Sequence, residues 1–284
     1  MRTLQIMIYT RKFFRTLKKE SFISILIGVV ITFLVMLIIG ENMFEEYGGT
    51  VKGFFSIVSV SIWVGIFNSI QLVCREKNDI VKDELDKALH ASSYMAAHFI
   101  YQFVLCLVQA AIIFGIFWAF VSDAQYISGS PVAYFITFFL IIYASDAMGF
   151  AISAAVPTPI AAMTVMPLFL IVQLLMAGVL FEINSELLAG LTVSKWGMAS
   201  LGRIGSLWGI VMPSKEAEKI AEGVNSALTE KGFPEQAIEL SAIEEHSMFD
   251  GNVLQSWGML ILFVVVFFAI SVIALKLTTR KLKK

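Results

Sequence analysis

Long apolar runs alternate with short charged stretches along most of this 284-residue chain. A helix needs about 20 apolar residues to cross the hydrocarbon core of a bilayer, and six runs have the required length. They are Ser21–Gly40, Gly53–Cys74, Tyr94–Ser122, Pro131–Val156, Ile160–Phe181 and Asn252–Leu275. Because a spanning segment must satisfy its own backbone hydrogen bonds, we predict helices and not strands. The pattern therefore predicts an all-α membrane protein with six transmembrane helices.

Prolines mark the junction between the fourth and fifth runs. Pro157 and Pro159 stand between them, so the two helices are expected to meet in a very tight turn. Pro167 lies inside the fifth run, where its ring and its missing N–H are expected to kink the helix. Two explanations of this kink are open, a packing adjustment and a gating role.

The polar parts of the chain predict interfacial elements. The segment before the first run has Ile6, Phe13 and Leu17 on one helical side and basic residues on another, which is typical of an amphipathic helix lying on an anionic leaflet. The segment between the fifth and sixth runs is too interrupted to span and predicts a re-entrant piece followed by small cap helices. The chain thus divides into an interfacial helix, five spans, a cap segment and a last span with a basic tail, at residues 1–20, 21–181, 182–251 and 252–284.

Composition and charge agree with a multi-pass protein of the cell membrane. Hydrophobic residues make up 58% of the chain, charged residues make up 15%, and the mean hydropathy is +0.81. The formal net charge of −1 gives no general attraction to nucleic acid. Basic residues concentrate before the first run, in the loop Arg75–Lys87 and after the sixth run. Since Lys and Arg are enriched on the cytoplasmic side, both termini and this loop are predicted to be cytoplasmic, and the cap segment external.

The motifs of common catalytic and metal sites are missing from the sequence. No G-x-x-x-x-G-K-[ST] occurs, so no P-loop for a nucleotide is expected. The three histidines lack metal-ligand spacing, and no metal or cofactor is expected on the chain itself. Cys74 and Cys106 are expected to be free thiols packed as small apolar groups. The chain is therefore not expected to be an enzyme by itself.

Asp146 is the single charged residue within the fourth run. An intramembrane carboxylate is a functional hypothesis by default, and a proton-coupled carrier would use it. The other explanation is a protonated or hydrogen-bonded residue at a helix contact. A proton-coupled carrier normally needs more such groups, which favours the second explanation.

The loop between the second and third runs predicts a short charged helix. Charges alternate over Arg75–Lys87, and Val81, Leu85 and Leu89 form an apolar stripe at helical spacing. A membrane protein without a nucleotide site needs a mechanical input if it is to be driven by ATP, and this helix is suited to receive one. The alternative is a solvated face that only caps two spans.

Several short motifs carry a resemblance to a known family. Glu76 opens the charged helix, Asp83 follows seven residues on, and Ser92-Ser93-Tyr94 opens the third run. Two more stretches follow the fifth run, Ala177-Gly178-Val179-Leu180 and Lys195-Trp196-Gly197-Met198-Ala199-Ser200-Leu201. In this order and spacing they resemble the permease half of type-2 ABC exporters, closest to the G subfamily of ABC transporters and its bacterial relatives. Lys87 stands where that family usually has Gly, so the charged helix is expected to extend further.

The resemblance implies partners and a site. It implies a coupling helix over about residues 75–93, through which Glu76, Asp83 and Arg75 dock on a separate P-loop ATPase that holds ATP and Mg. Glu76 would also link this helix to the N-terminal helix, through Arg11 or Arg15. Two ATPase copies and a second permease, identical or paralogous, are implied, with a substrate cavity on the dimer axis. The cavity positions are Ile57, Val60, Ser61, Val64, Pro167, Leu170, Ile171 and Leu174.

These cavity positions are almost wholly apolar, which favours an amphipathic or lipid-like cargo over small ions. The resemblance therefore implies a permease subunit of an ATP-driven exporter, with lipid, peptide antibiotic, drug and cell-envelope precursor all open as cargo. Two other functions stay open. One is a membrane scaffold or sensor that anchors an ATPase without transport, and the other is the proton-coupled carrier that uses Asp146.

Overall fold

Helices account for almost all of the structure, a computed structural model that describes residues 6–11, 19–40, 43–44, 47–85, 91–121, 129–180, 186–205, 226 and 252–282. The helices, in chain order, are α1 (residues 6–11), α2 (Lys19–Ile39), α3 (Tyr47–Ser69), α4 (Leu72–Leu85), α5 (Ala91–Val121), α6 (Pro131–Ala155), α7 (Pro159–Leu175), α8 (Glu186–Gly190), α9 (Val193–Ile204) and α10 (Val253–Leu282). No strand occurs within these ranges. The predicted all-α membrane fold is confirmed.

Five of these helices, α2, α3, α5, α6 and α10, are long and apolar enough to cross a membrane. Helix α7 is apolar but has 17 residues, and it ends before the predicted limit at Phe181. The second predicted run differs more, because α3 stops at Ser69 and a turn at Ile70 and Gln71 separates it from α4. Residues 13–18, which include part of the predicted N-terminal helix, and most of the predicted cap lie outside the described ranges.

Helices α3 and α6 form the centre of the bundle, and two glycines allow their backbones to approach closely. A Cβ atom on Gly65 of α3 would overlap the carbonyl oxygen of Ile142, and one on Gly149 of α6 would overlap the hydroxyl of Ser69. The Ser69 hydroxyl donates to the backbone carbonyl of Asp146 at 2.6 Å. Small residues at such crossings are the usual means by which membrane helices pack, since lipid supplies no hydrophobic force between them.

Helix α9, in the predicted re-entrant region, packs against this centre and holds α10 in place. A Cβ atom on Gly197 would lie 2.9 Å from Ile141 of α6. Arg203 Nη1 donates to the Ser256 hydroxyl at 2.5 Å and to the carbonyl of Asn252 at 3.2 Å. Polar bonds of this kind fix the orientation of helices that are otherwise apolar on every side.

Candidate functional site: the charged helix, the polar interior and the groove

The N-terminus of the charged helix α4 is capped by a residue from another helix. The first N–H groups of a helix have no partner within it, and here the Ser153 hydroxyl of α6 accepts from the N–H groups of Val73 and Cys74, both at 3.1 Å. Ser153 is fully buried. A capping hydroxyl usually comes from the residue that precedes the helix, so this cap could not be predicted from local sequence.

The C-terminus of α6 is capped in return by α4. Lys77 Nζ donates to the carbonyl oxygens of Ala154 at 3.1 Å and Val156 at 3.0 Å. These carbonyls belong to the last turn of α6, where a cation is also favoured by the helix dipole. We call Ser153 and Lys77, together with the backbone groups that they bond, the α4–α6 clasp. It joins the charged helix to the end of α6 at two points.

Glu76 is the centre of a second set of contacts. Its carboxylate accepts from the Tyr94 hydroxyl at 2.5 Å and lies 3.8 Å from Nε2 of His98. The Tyr94 ring also makes an edge contact with Tyr9 of α1, at 6.4 Å between centroids. The first residue of the acidic motif and the tyrosine of the S-S-Y motif are thus brought together, and α1 reaches them through an aromatic ring.

The structure describes the side chains of two other residues predicted to take part in coupling, Arg75 and Arg11. Arg75 donates to the side-chain oxygen of Gln71, and Arg11 is exposed on α1. Asp83 lies in α4, and its side chain is outside the described part of the structure. Arg15 and Lys87 lie outside the described residues. The link from Glu76 to Arg11 or Arg15 therefore stays a prediction.

A polar cluster inside the bundle was not predicted. The side-chain amides of Asn68 and Gln109 pair reciprocally at 2.7 and 3.0 Å, and Ser24 donates to Asn68 at 2.6 Å. Gln102 donates to the backbone carbonyl of Asn68 at 3.2 Å. The cluster ties α2, α3 and α5 together at membrane depth. The available signal was the presence of Asn and Gln within apolar runs, because such side chains bond across helices in a membrane.

Asp146 is fully buried in α6, as its position in an apolar run predicted. Neither carboxyl oxygen accepts a hydrogen bond from the described residues. A buried carboxylate without partners is far more costly than the neutral acid. The arrangement therefore favours a neutral interior side chain. Within the described ranges, no three His, Cys, Asp or Glu side chains are grouped so as to hold a metal ion.

An apolar groove of about 660 Å³ opens between α2 and α3 at the level of the membrane. Hydroxyls of serine residues are its main polar feature. Its lining comprises Ile23, Ser24, Ile27, Gly28, Ile31 and Val35 of α2, Phe55, Ser56, Ser59, Val60, Trp63, Val64 and Phe67 of α3, and Leu174 of α7. The groove is large enough for part of a lipid-sized molecule.

The predicted cavity positions divide between this groove and the interior. Val60, Val64 and Leu174 line the groove. Ile57 and Ser61 instead lie in the interior of the subunit, 1% and 0% exposed, so they are not part of the groove surface. Phe55, Ser59, Trp63 and Phe67 form much of the open side of the groove. The cavity between two permeases stays a prediction.

The predicted positions on α7 are similarly divided. Pro167 and Ile171 are exposed, while Leu170 packs inward and is 4% exposed. The buried side of α7 also carries Gln173, whose side-chain oxygen accepts from the N–H of Ser194 at 3.0 Å. Gln173 thus caps the start of α9, where Thr192 provides no side-chain cap. Gln173 Nε2 also donates to the sulfur of Met148 at 3.6 Å, so both ends of this amide hold α7 at this point.

A family model described as ABC-2 type transporter matches residues 4–189, about two thirds of the chain. The chain belongs to the ABC-2 type transporter family. The match runs from before α1 into α8 and so includes the charged helix, the polar cluster and the groove. A comparison with curated proteins found no match.

Membership identifies this protein as a permease, the membrane component of an ABC transporter. The resemblance to type-2 ABC permeases is confirmed at the level of the family. An ABC-2 permease works in a membrane with an ATPase partner, which carries the nucleotide chemistry. A permease of this kind therefore needs two functional surfaces, one that contacts the ATPase and one that forms the path of the cargo.

Proposed function

We propose that this permease exports an amphipathic or lipid-like cargo, powered by a separate ATPase. The apolar groove carries this proposal, because its walls match an acyl chain or a similar apolar group and offer few polar partners to a hydrated ion. The groove is open along the α2–α3 side of the subunit, where Ile27 and Trp63 are 50% and 39% exposed. A cargo could therefore enter it from the bilayer.

The charged helix α4 is the proposed docking site for the ATPase. Glu76 and Arg75 lie in its first turns, with Asp83 further along. The distribution of Lys and Arg supports placing α4 and both termini in the cytoplasm, where ATP is available. Two ATPase copies, each holding ATP and Mg, would dock on two permeases, identical or paralogous, and their closure would rock the permeases between inward-open and outward-open states.

Transport of a fluorescent phospholipid tests this function. We expect liposomes that contain the permease and its ATPase to move NBD-labelled phospholipid between leaflets when MgATP is added, as measured by dithionite quenching. Ile27→Trp fills the groove and should reduce this rate by about tenfold, equivalent to about 1.4 kcal/mol. Ile38→Trp is the matched control, because Ile38 is on the same helix, 77% exposed and outside the groove. ATP hydrolysis without any lipid movement in the wild type would instead support a scaffold or sensor.

The Asp146→Asn variant tests the proton-coupled alternative, in which the buried carboxyl of Asp146 would carry the proton. We expect it to fold and to keep its ATP-driven lipid movement, because asparagine has the shape of the neutral acid and Asp146 has no cationic partner among the described residues. The measurement is lipid movement driven by ATP and, separately, by an imposed pH gradient. Gradient-driven movement in the wild type that is abolished in Asp146→Asn would contradict the ATP-driven proposal.

A further inference from the structure

We propose that the α4–α6 clasp transmits displacement of the charged helix to α7, which makes Lys77 and Ser153 positioning residues for the transport cycle. This inference rests on the proposed function, because it assumes that an ATPase moves α4. It concerns a different question, which is how movement at α4 reaches the groove. The described structure offers a short route through the end of α6.

The first step of this route is the hydrogen-bonded connection between α4 and the last turn of α6. In both halves of the clasp α4 donates and α6 accepts. The Ser153 side chain accepts from backbone N–H groups of α4, and the Lys77 side chain donates to backbone carbonyls at the end of α6. Both side chains are buried, with Ser153 at 0% and Lys77 at 7% exposed. Water is therefore a poor substitute for the bonds, and a buried ammonium group that lost its two carbonyl acceptors would be strongly disfavoured. Helix α4 and the last turn of α6 should therefore move together.

The second step is a stiff connection from that joint to α7. Lys77 bonds the carbonyl of Val156, and only Pro157 and Thr158 separate that residue from the start of α7. Both Val156 and Thr158 have extended backbone, and proline fixes its own φ. The Thr158 hydroxyl also accepts from the N–H of Ala161 at 3.2 Å and so caps α7. Because the turn between α6 and α7 is short, extended and capped, a displacement of the end of α6 should be passed on to the start of α7.

The third step is the loose packing of α7 along the rest of its length. Its buried side chains within the subunit are Ala162, Met166, Leu170 and Gln173, while Leu168 and Ile171 are 63% and 51% exposed. Helix α6, by contrast, is buried along most of its length. A force applied at the junction of the two helices should therefore move α7 more than α6. Leu174, near the far end of α7, lines the groove, so this motion would change the groove.

The alternative route through α3 is less suited to carry motion. Helix α3 joins α4 through the turn at Ile70 and Gln71, but the close contacts of Gly65 and Gly149 hold it against α6. Interfaces packed backbone to backbone resist sliding. The clasp acts instead on the last turn of α6, next to Ala155, which is exposed.

The test follows an environment-sensitive probe on α7 in the complex of the full-length permease with its copurified ATPase, in liposomes. Ile160, at the start of α7, is 80% exposed, so a cysteine introduced there by Ile160→Cys can be labelled with bimane. The native Cys74 and Cys106 are buried and should not react with the label. MgATP with orthovanadate should change the bimane emission in the otherwise wild-type protein. Lys77→Met and Ser153→Ala should each reduce that change by about fivefold or more while hydrolysis of ATP persists, as expected for loss of a buried hydrogen bond to a charged or backbone group.

Two variants separate transmission from a general loss of structure. Lys77→Arg keeps a cationic donor for the two carbonyls and should restore most of the bimane response. Lys52→Met removes an exposed lysine at the opposite end of α3 and should leave the response unchanged. Melting temperatures in detergent identify any variant that fails to fold, in which case Ser153→Ala, the smaller change, decides the question.

The outcomes distinguish this inference from the proposed function. If the otherwise wild-type complex moves lipid with MgATP but shows no nucleotide-dependent bimane change, α7 does not move and this inference is overturned. If it neither moves lipid nor changes its bimane emission, the proposed function itself is overturned. If it does respond and folded Lys77→Met and Ser153→Ala respond equally, the clasp does not transmit motion. Loss of ATP hydrolysis in the same proportion as the bimane response would also overturn the inference, because the clasp would then act on the ATPase and not on α7.

Discussion

Replacing Gly65 with leucine should prevent the bundle from assembling in its native form. A Cβ atom at this position already overlaps the Ile142 carbonyl oxygen and would lie 3.0 Å from the backbone nitrogen of Asp146. The obstacle is backbone of the central helix α6, which cannot rotate away as a side chain can. We expect a destabilisation of at least about 3 kcal/mol, the upper part of the range for overpacked cores. Fluorescence-detected gel filtration and thermal melting of the detergent-solubilised permease would measure it.

Gly115→Leu is the matched control for this effect. Gly115 lies within the membrane helix α5, and a Cβ atom there meets nothing within 4 Å. The same glycine-to-leucine change should therefore leave the elution profile and the melting temperature close to those of the wild type. Equal behaviour of the two variants would show that the α3–α6 crossing is not as close as described.

Replacing Glu76 with alanine should strongly reduce assembly with the ATPase and the hydrolysis that the permease stimulates. The change removes the acidic residue at the start of the proposed docking helix and the acceptor of the Tyr94 hydroxyl. Loss of a partly buried charge contact commonly costs enough to weaken binding by about tenfold or more. Copurification of the ATPase with tagged permease and its turnover in liposomes would measure the two effects.

Two further variants divide the role of Glu76 between charge and local structure. Tyr94→Phe removes the hydrogen bond but keeps the carboxylate, and it should retain most of the assembly. Glu76→Gln keeps an acceptor for Tyr94 but removes the charge, and it should behave more like alanine. Unchanged assembly and turnover in Glu76→Ala would refute the docking proposal, whereas a Tyr94→Phe defect as large as that of alanine would assign the effect to local folding.

The positions of the membrane helices could be predicted from the sequence, because the length of an apolar run is a direct measure of a spanning helix. Helix α6 begins at Pro131, as predicted, and ends one residue before the predicted Val156. The end of α3 could not be predicted in the same way. The helix that follows the break is capped by the Ser153 hydroxyl, which reaches the start of α4 from a distant part of the chain. No local pattern encodes that contact.

Which side of each membrane helix faces the interior of the subunit could not be predicted from the sequence either. In a soluble protein the apolar face marks the core, but lipid is as apolar as an interior, and a membrane helix is apolar all round. This is why the sequence does not show that Ile57 and Ser61 are buried within the subunit. The residues that do mark the interior are polar, and Asn68 and Gln109 indicate it better than any isoleucine. Lys77 is one of the alternating charges of the predicted helix, and the sequence does not show that it is buried.

The α4–α6 clasp also has a consequence for the order of events during biosynthesis. Val73 and Ser153 are 80 positions apart, so the nascent chain emerges through its fourth apolar segment before the charged helix can acquire its cap. Until then the first N–H groups of that helix have no protein partner in the clasp, and the helix end is less stable. A truncated or stalled chain would therefore offer an incomplete surface to an ATPase. This dependence would delay subunit recruitment until the chain has been made through α6.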